Sequence, residues 1–421
     1  MRILWLCNLV LPELSSRFGL KIYQAGGWLT GLWNELKKDH FLQLGICIPI
    51  YDKYRMNDGN CENYNYYSFH ADIKEHTLGV AEERFVEILE DFKPDVIHIW
   101  GTEYLHSWAM TSACRYLGRL GQVVVHIQGL VSVCALHYGF GLSDEVKAVK
   151  KNGRSIQDEI EDFKMRGKYE IRLLETVQHA AGRTEWDRAC VRQINPKIAY
   201  YHCGEILRKE FYENDIKWDV EQCKRHSIFI SQAIYPVKGF HLVLDTMARL
   251  RDKYPDLLSH IAGTNLLESG SAYADYVCRK IDLYNLWDHI VFTGTVTAEE
   301  MIGCYRHANV FLSASTIENS SNSICEALRI GVPVVSSFVG GVMSLIEHEK
   351  TGFLYPLDAG YMQQYYIEKI FDDDACAMNM SKNAAARSKI INNKKEIVHT
   401  VSEIYSRIAE DYASVHCAYR D

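Results

Sequence analysis

Short apolar runs alternate with longer stretches of helical periodicity from one end of this 421-residue chain to the other. A strand that is apolar on both faces needs cover on both, and helices between parallel strands supply it, so the alternation restricts the chain to α/β architectures. Residues 3–6, 42–48, 96–100 and 123–127 read as strands of a first series. Between the first two, Tyr23-Gln24-Ala25-Gly26-Gly27 is a glycine turn into an amphipathic helix, and residues 144–176 read as one or two surface helices. A second series has strands at residues 228–231, 258–262, 290–294, 310–314 and 332–336, with helices at 239–253, 298–308 and 322–330. One core rarely serves a chain of this length. The expected organisation is two doubly wound Rossmann-like domains facing across a crevice, residues 1–204 and 205–393. An amphipathic helix at 394–421, with Ile397, Val401, Ile404, Tyr405 and Ile408 on one face, is expected to pack back on the first domain.

A formal net charge of −8 excludes a general nucleic-acid binder, which shows a basic field. Thirteen scattered cysteines without a Cys-x-x-Cys pair point to a reduced, cytoplasmic setting and to neither a disulfide framework nor zinc. The apolar start meets Asn8, Pro12 and Glu13 and reads as a buried strand instead of a signal peptide. No apolar run reaches the ~18 residues of a membrane span. The sequons at Asn319 and Asn379 are then chance matches. No His-Glu-x-x-His or nucleophile elbow is present, and no metal site is expected.

The chemistry-bearing unit is Glu318-Asn319-Ser320-Ser321-Asn322-Ser323-Ile324-Cys325-Glu326, which carries the chain from a strand end into a helix. Ser320, Ser321 and Asn322 are cap candidates whose helix start presents free backbone N–H groups to a phosphate. The two carboxylates suit sugar hydroxyls instead. Lys238-Gly239, between another strand and its helix, can neutralise a diphosphate. Gly26-Gly27 either approaches a phosphate or forms a plain turn. In the first half, His98 reads as a core histidine. Glu103 and Gln128, in loops after strands, are expected to touch substrate, and His106 is open to either role. Arg183 and Glu205 flank the expected junction and form either an inter-domain salt bridge or ligand contacts. The basic run Lys147, Lys150, Lys151, Arg154, Lys164, Arg166 and Lys168 either docks peripherally on anionic lipid or pairs with Glu145, Asp158, Glu159, Glu161 and Asp162.

Glu318 and Glu326 in a Glu-x7-Glu spacing, followed by Ala327-Leu328-Arg329-Ile330-Gly331-Val332-Pro333, resemble the retaining glycosyltransferases of family 4, which have the GT-B fold. Lys238-Gly239, Gly263, Phe292-Thr293-Gly294, Gly340-Gly341 and Thr351-Gly352-Phe353 extend the resemblance across the second half in the same order. Gly101-Thr102-Glu103, Gln128-Gly129-Leu130, Gly182-Arg183-Thr184-Glu185-Trp186-Asp187 and Glu205-Ile206-Leu207-Arg208 look like a bacterial subgroup that builds surface polysaccharides. The resemblance implies transfer of a hexose, with retention and without a bound metal, from a nucleotide-sugar donor, UDP-linked by expectation. The implied acceptor is a glycan or lipid-linked oligosaccharide, and no separate cofactor is needed. Glu326 would meet the ribose, Glu318 the transferred sugar and Lys238 the diphosphate, with Gly26, Gly27, Gly294 and the 319–322 turn completing the donor site. Gln128, Glu318 and Lys238 would serve the reaction, and Glu103, His106, Arg183 and Glu205 the acceptor side or the junction. Many members carry an arginine shortly before the lysine, where this chain has Ser231-Gln232-Ala233, so Arg183 is the candidate replacement cation. Many carry a histidine where this chain has Gln128. Two alternatives share the fold: a nucleotide-sugar epimerase and a non-catalytic nucleotide- or sugar-binding protein.

Overall fold

The structure is a computed structural model that describes residues 1–20, 26–52, 55–215 and 217–417, with side chains through residue 414. Tyr23, Gln24 and Ala25 of the glycine turn lie outside the described residues. The chain forms two compact units. Unit 1 comprises Met1–Ser132, Lys164–Ile206 and Asn393–Asp421, and unit 2 comprises Val133–Phe163 and Leu207–Asn392.

Unit 1 is built on an eight-stranded sheet. Its strands are β1 (Arg2–Leu6), β2 (Gln43–Ile50), β3 (Gly59–Cys61), β4 (Tyr64–His70), β5 (Val96–Trp100), β6 (Val123–His126), β7 (His179–Gly182) and β8 (Ala199–His202). They lie in the order β3-β4-β2-β1-β5-β6-β7-β8, parallel except for the short antiparallel edge strand β3. The central strands β5 and β6 are buried at every position, which explains why they are apolar apart from His98 and His126. Connections run outward from β1 to one side and then return to β5 on the other, so the switch point lies between β1 and β5.

Unit 2 carries a six-stranded, wholly parallel sheet. Its strands are β9 (Ser227–Ile230), β10 (Leu258–Ala262), β11 (Ile290–Gly294), β12 (Val310–Ser313), β13 (Val334–Ser337) and β14 (Phe353–Tyr355). The order β11-β10-β9-β12-β13-β14 places the switch point between β9 and β12, where open α/β sheets leave a crevice beyond the carboxyl ends of the strands. The helix Asn322–Ile330 follows β12 and stops at Gly331, whose φ of 89° closes it in the left-handed conformation.

Two features depart from the sequence expectations. Residues 133–163 were expected within a continuous 1–204 domain but belong to unit 2, because Leu142, Ile156 and Ile160 join its core and the carbonyls of His137 and Phe140 accept from Thr316 Oγ1 (2.9 Å) and His241 Nε2 (2.8 Å). The expected surface helices are Asp144–Ala148 and Ile156–Thr176, and the second buries Leu173, Leu174 and Glu170. Strands β3, β4, β7, β8 and β14 have no counterpart in the expected set; β7 is only His-Ala-Ala-Gly, too short and small for an apolar run.

The helix Lys394–Cys417 belongs to unit 1. Its Tyr405 hydroxyl accepts from Trp5 Nε1 at 2.9 Å and pairs with His98 Nδ1 at 2.6 Å. His98 is thereby a core residue, and burial pulls its pKa down to about 3. Among the described residues no helix is long and apolar enough to cross a membrane.

Candidate functional site

At the unit 2 switch point three loops meet. The loop after β9 is held by Gln232, whose Oε1 accepts from Ala233 N (2.9 Å) and Ile234 N (3.1 Å); its side chain braces its own backbone. The turn Pro236–Lys238 follows and ends at Gly239, φ 69°, where a Cβ would lie 1.9 Å from the Ala314 carbonyl oxygen. Only glycine permits this approach of the β9 and β12 loops. Thr316 N donates to Val237 O at 2.8 Å across the same seam. From β13, Gly341 N donates to Glu318 O at 2.9 Å, and a Cβ on Gly340 would lie 2.1 Å from that oxygen.

Two ion pairs occupy the result. Lys238 Nζ lies 2.8 Å from Glu318 Oε2, which also accepts from Ser315 Oγ at 3.2 Å. Partial burial works against the ammonium, but the Glu318 carboxylate outweighs it and holds Lys238 above its ordinary pKa. The Glu326 carboxylate is engaged by a fork from Arg208, Nε to Oε1 at 2.8 Å and Nη2 to Oε2 at 2.9 Å. Burial pushes Glu326 up, and Arg208 opposes that push. Ser321 is the cap of the helix Asn322–Ile330, its Oγ accepting from Ile324 N. Asn319 is buried in the turn before it, Ser320 is half-buried, and Asn322 is the first helical residue. Gly294, φ 71°, ends the edge strand β11, with open space where a Cβ would stand. The structure thus brings Lys238, Glu318 and the 319–322 turn together, but pairs Lys238 with Glu318 and occupies Glu326 with a residue given no role in the sequence reading.

The remaining candidates lie in unit 1. Gly26 caps the helix Gly27–Leu36 with φ 80°, and Gly27 opens it. Glu103 follows β5, folded against Gly101, where a Cβ would meet its Oε2 at 2.0 Å. Burial, reinforced by Glu170, raises Glu103 to about 7 against the opposing charges of Arg183 and Arg166. His106 sits in the helix Leu105–Tyr116, stacked on Tyr104 and packed against Phe69; burial lowers it to about 3, so it is neutral. Arg183 and Glu205 form a buried ion pair, and Arg183 Nη2 also donates to the Gln128 carbonyl at 2.7 Å. Arg183 follows β7 and Glu205 follows β8, and these neighbouring parallel strands bring the two together inside unit 1. The expectation of an inter-domain bridge is corrected accordingly, as is that of Arg183 as a spare cation, since its charge is taken by Glu205.

Glu170 was not anticipated. Fully buried, it accepts from Thr102 Oγ1 (2.8 Å), Val131 N (3.1 Å), Ser132 N (2.9 Å) and Ser132 Oγ (2.5 Å), tying the β5 loop to the segment after Gln128. Its signal was available: a carboxylate on the same helix face as Leu173 and Leu174. Arg208 and Tyr305 were likewise missed. The basic run is largely paired with acids: Lys147 with Asp144 (3.0 Å), Lys150 with Asp158 (3.8 Å), Lys151 with Asp275 (2.5 Å) and Arg154 with Asp162 (3.9 Å). Among the described residues no three His, Cys, Asp or Glu side chains group as metal ligands.

The family described as glycosyl transferases group 1 matches residues 213–387, all within unit 2. The D-inositol 3-phosphate glycosyltransferase of Pseudarthrobacter chlorophenolicus is 29% identical over 167 residues, 39% of this chain and 38% of that protein. YtcC of Bacillus subtilis, which carries a glycosyltransferase name, is 25% identical over 49% of this chain. The chain spans half the length of YtcC and less of the first. Sucrose-phosphate synthase from Thermosynechococcus elongatus superposes with a TM-score of 0.69 at 17% identity, covering 97% of this chain and 99% of that one. HepE from Anabaena, solved in complex with UDP-glucose, gives a TM-score of 0.65 at 16% identity, covering 98% and 100%. The chain has the GT-B fold, and residues 213–387 of its second unit match the glycosyl transferases group 1 family.

Proposed function

We propose that the protein is a retaining glycosyltransferase that moves a hexose from a UDP-linked donor to a glycan or lipid-linked oligosaccharide in polysaccharide biosynthesis. The observation that carries the reading is the Lys238–Glu318 pair at the β9/β12 switch point, beside the Ser321-capped helix start. Both Lys238 and Arg208 are neutralised by carboxylates, so an incoming diphosphate must take Lys238 from Glu318. That exchange leaves Glu318 free to accept hydrogen bonds from the transferred sugar. The helix N-terminus supplies further N–H donors, so a bound metal is not required to hold the diphosphate.

In the proposed step the acceptor hydroxyl attacks the anomeric carbon from the face that the diphosphate leaves. The bond from that carbon to the diphosphate oxygen breaks, and the departing phosphate oxygen takes the hydroxyl proton. Lys238 and the helix amides stabilise the charge that develops on the diphosphate. Glu103 and the Gln128 loop are proposed acceptor contacts. HepE, a protein of the same fold, has been solved with UDP and with UDP-glucose, which makes UDP-glucose the first donor to test. The proposed site of action is the cytoplasm, with peripheral contact to a lipid-linked acceptor.

The test is incubation with UDP-hexoses and an acceptor panel, with the anomeric configuration of the product read by NMR. Net transfer with retention is expected, and Glu326→Ala is expected to weaken UDP binding. Conversion of the donor without acceptor would instead identify an epimerase. Tight nucleotide binding without turnover would identify a binding protein.

A further inference from the structure

Arg208 is the second residue of the longer segment of unit 2, Leu207–Asn392, and the cap residue of the short helix Lys209–Glu213. That helix is pinned: Arg329 Nε donates to Phe211 O at 3.0 Å, and Tyr212 OH accepts from Leu207 N at 3.1 Å and donates to Asn392 O at 2.8 Å. The guanidinium packs over the Phe211 ring at 5.1 Å. The Arg208 and Glu326 side chains are only 15% and 8% exposed, so the pair is built into the site and is not a chance surface contact.

Stability does not account for such a pair, because the cost of desolvating both charges roughly cancels their attraction. A carboxylate that must be both buried and ionised does account for it. An ionised carboxylate has about four acceptor positions, and the Arg208 fork uses one on each oxygen. One position on each oxygen remains, the arrangement that two adjacent hydroxyls need. The Tyr305 hydroxyl has one proton to share between Ser323 O at 3.0 Å and Oε2 at 3.3 Å, so its hold on Oε2 is the weaker and a ribose hydroxyl can displace it.

Resting on the reading of unit 2 as a nucleotide-sugar site, we propose that Arg208 is a positioning residue that keeps Glu326 ionised and presents its two oxygens to the vicinal diol of the donor's ribose. Burial acts on Glu326 toward the protonated form, Arg208 opposes it, and the other groups acting on it are the neutral Tyr305 hydroxyl and the Glu210 carboxylate. Glu210 pushes in the same direction as burial. Without Arg208 only the long Tyr305 hydroxyl contact still opposes burial and Glu210, which favour the protonated acid, whose O–H donates and cannot chelate a diol.

The test is calorimetric titration with UDP, GDP and ADP and their 2′-deoxy analogues at about pH 6 and about pH 8.5, either side of the range in which a destabilised carboxylate titrates. Wild type is expected to prefer the ribonucleotide equally at both pH values. Arg208→Gln is expected to lose that preference at the lower pH and regain it at the higher, by up to about tenfold per pH unit. Arg208→Lys, which keeps the charge but not the fork, is expected to bind more weakly with a flat profile. Inorganic pyrophosphate, which needs Lys238 and not Glu326, is expected to bind all three proteins and reports their folding. A ribose preference in Arg208→Gln that equals wild type at both pH values overturns the role of Arg208. If Arg208→Gln does not fold, a pH-dependent ribose preference in Arg208→Lys overturns it equally. Wild type that binds pyrophosphate but none of the nucleotides overturns the nucleotide-sugar reading, and the inference with it.

Discussion

Two acid–base pairs stand at the carboxyl ends of parallel strands, one in each unit, and they differ in access to water. Arg183 and Glu205 are each 4% exposed, and the arginine also clasps the Gln128 carbonyl. Lys238 and Glu318 are 32% and 18% exposed. A pair sealed from water cannot change partners without stranding a buried charge, whereas one open to water can release either member to a ligand. The unit 1 pair is therefore a fastening for the loop that carries Gln128. The unit 2 pair is an exchangeable element of the proposed donor site. The same residue chemistry serves two ends because the surrounding packing sets how costly separation is.

Breaking the sealed pair should have the largest effect. Arg183→Ala is expected to cost about 3–5 kcal/mol of stability by leaving the Glu205 charge buried without its cation, read as a lowered denaturation midpoint. Arg183→Met combined with Glu205→Leu sharpens the comparison, since removing both charges should restore most of that loss; a double variant as unstable as the single one contradicts the fastening role. The open pair should behave in the opposite way. Lys238→Ala is expected to lower turnover about 100- to 1,000-fold, the range for loss of one group that stabilises transition-state charge. Its melting temperature should stay close to wild type, because a partly exposed pair contributes little to stability.

The seam beneath the open pair gives a smaller effect. Gly239→Ala places a side chain in the left-handed region and against the Ala314 carbonyl, and strain of this kind costs about 1–3 kcal/mol. Stability and UDP affinity are expected to fall together, and an unchanged UDP affinity would show that the seam does not shape the site. The effect smallest at any one step of pH concerns Glu103, raised from 4.5 to about 7 by burial. The native state then binds its proton more tightly than the unfolded chain. Its contribution is full below the unfolded pKa and declines as pH rises through the interval to about 7, by less than about 1.4 kcal/mol per pH unit. Denaturation at several pH values in that interval should show the decline in wild type and its loss in Glu103→Gln.

The legible parts of the molecule were those written in local pattern. Strands β5, β10 and β11 and the helix Asn322–Ile330 have the bounds that periodicity and caps imply. Strands β7, β8 and β14 have only three or four residues each, and pairing with neighbours specifies them more than composition does. Glu170, Arg208 and Tyr305 received no role from the sequence because their partners lie far along the chain: Thr102 for Glu170, and Glu326 for the other two.

By itself the sequence determined the α/β class, the two series of strands and the place of Glu318, Glu326 and Lys238 at strand-to-helix connections. Those features follow from hydrophobic period and helix capping, which act over a few residues. Only the tertiary structure decided that Lys238 faces Glu318, that Arg208 holds Glu326, that Arg183 is consumed by Glu205, and that residues 133–163 join unit 2. Charge pairing depends on distances of a few ångströms between residues remote in the chain, and strand order and packing alone set those distances.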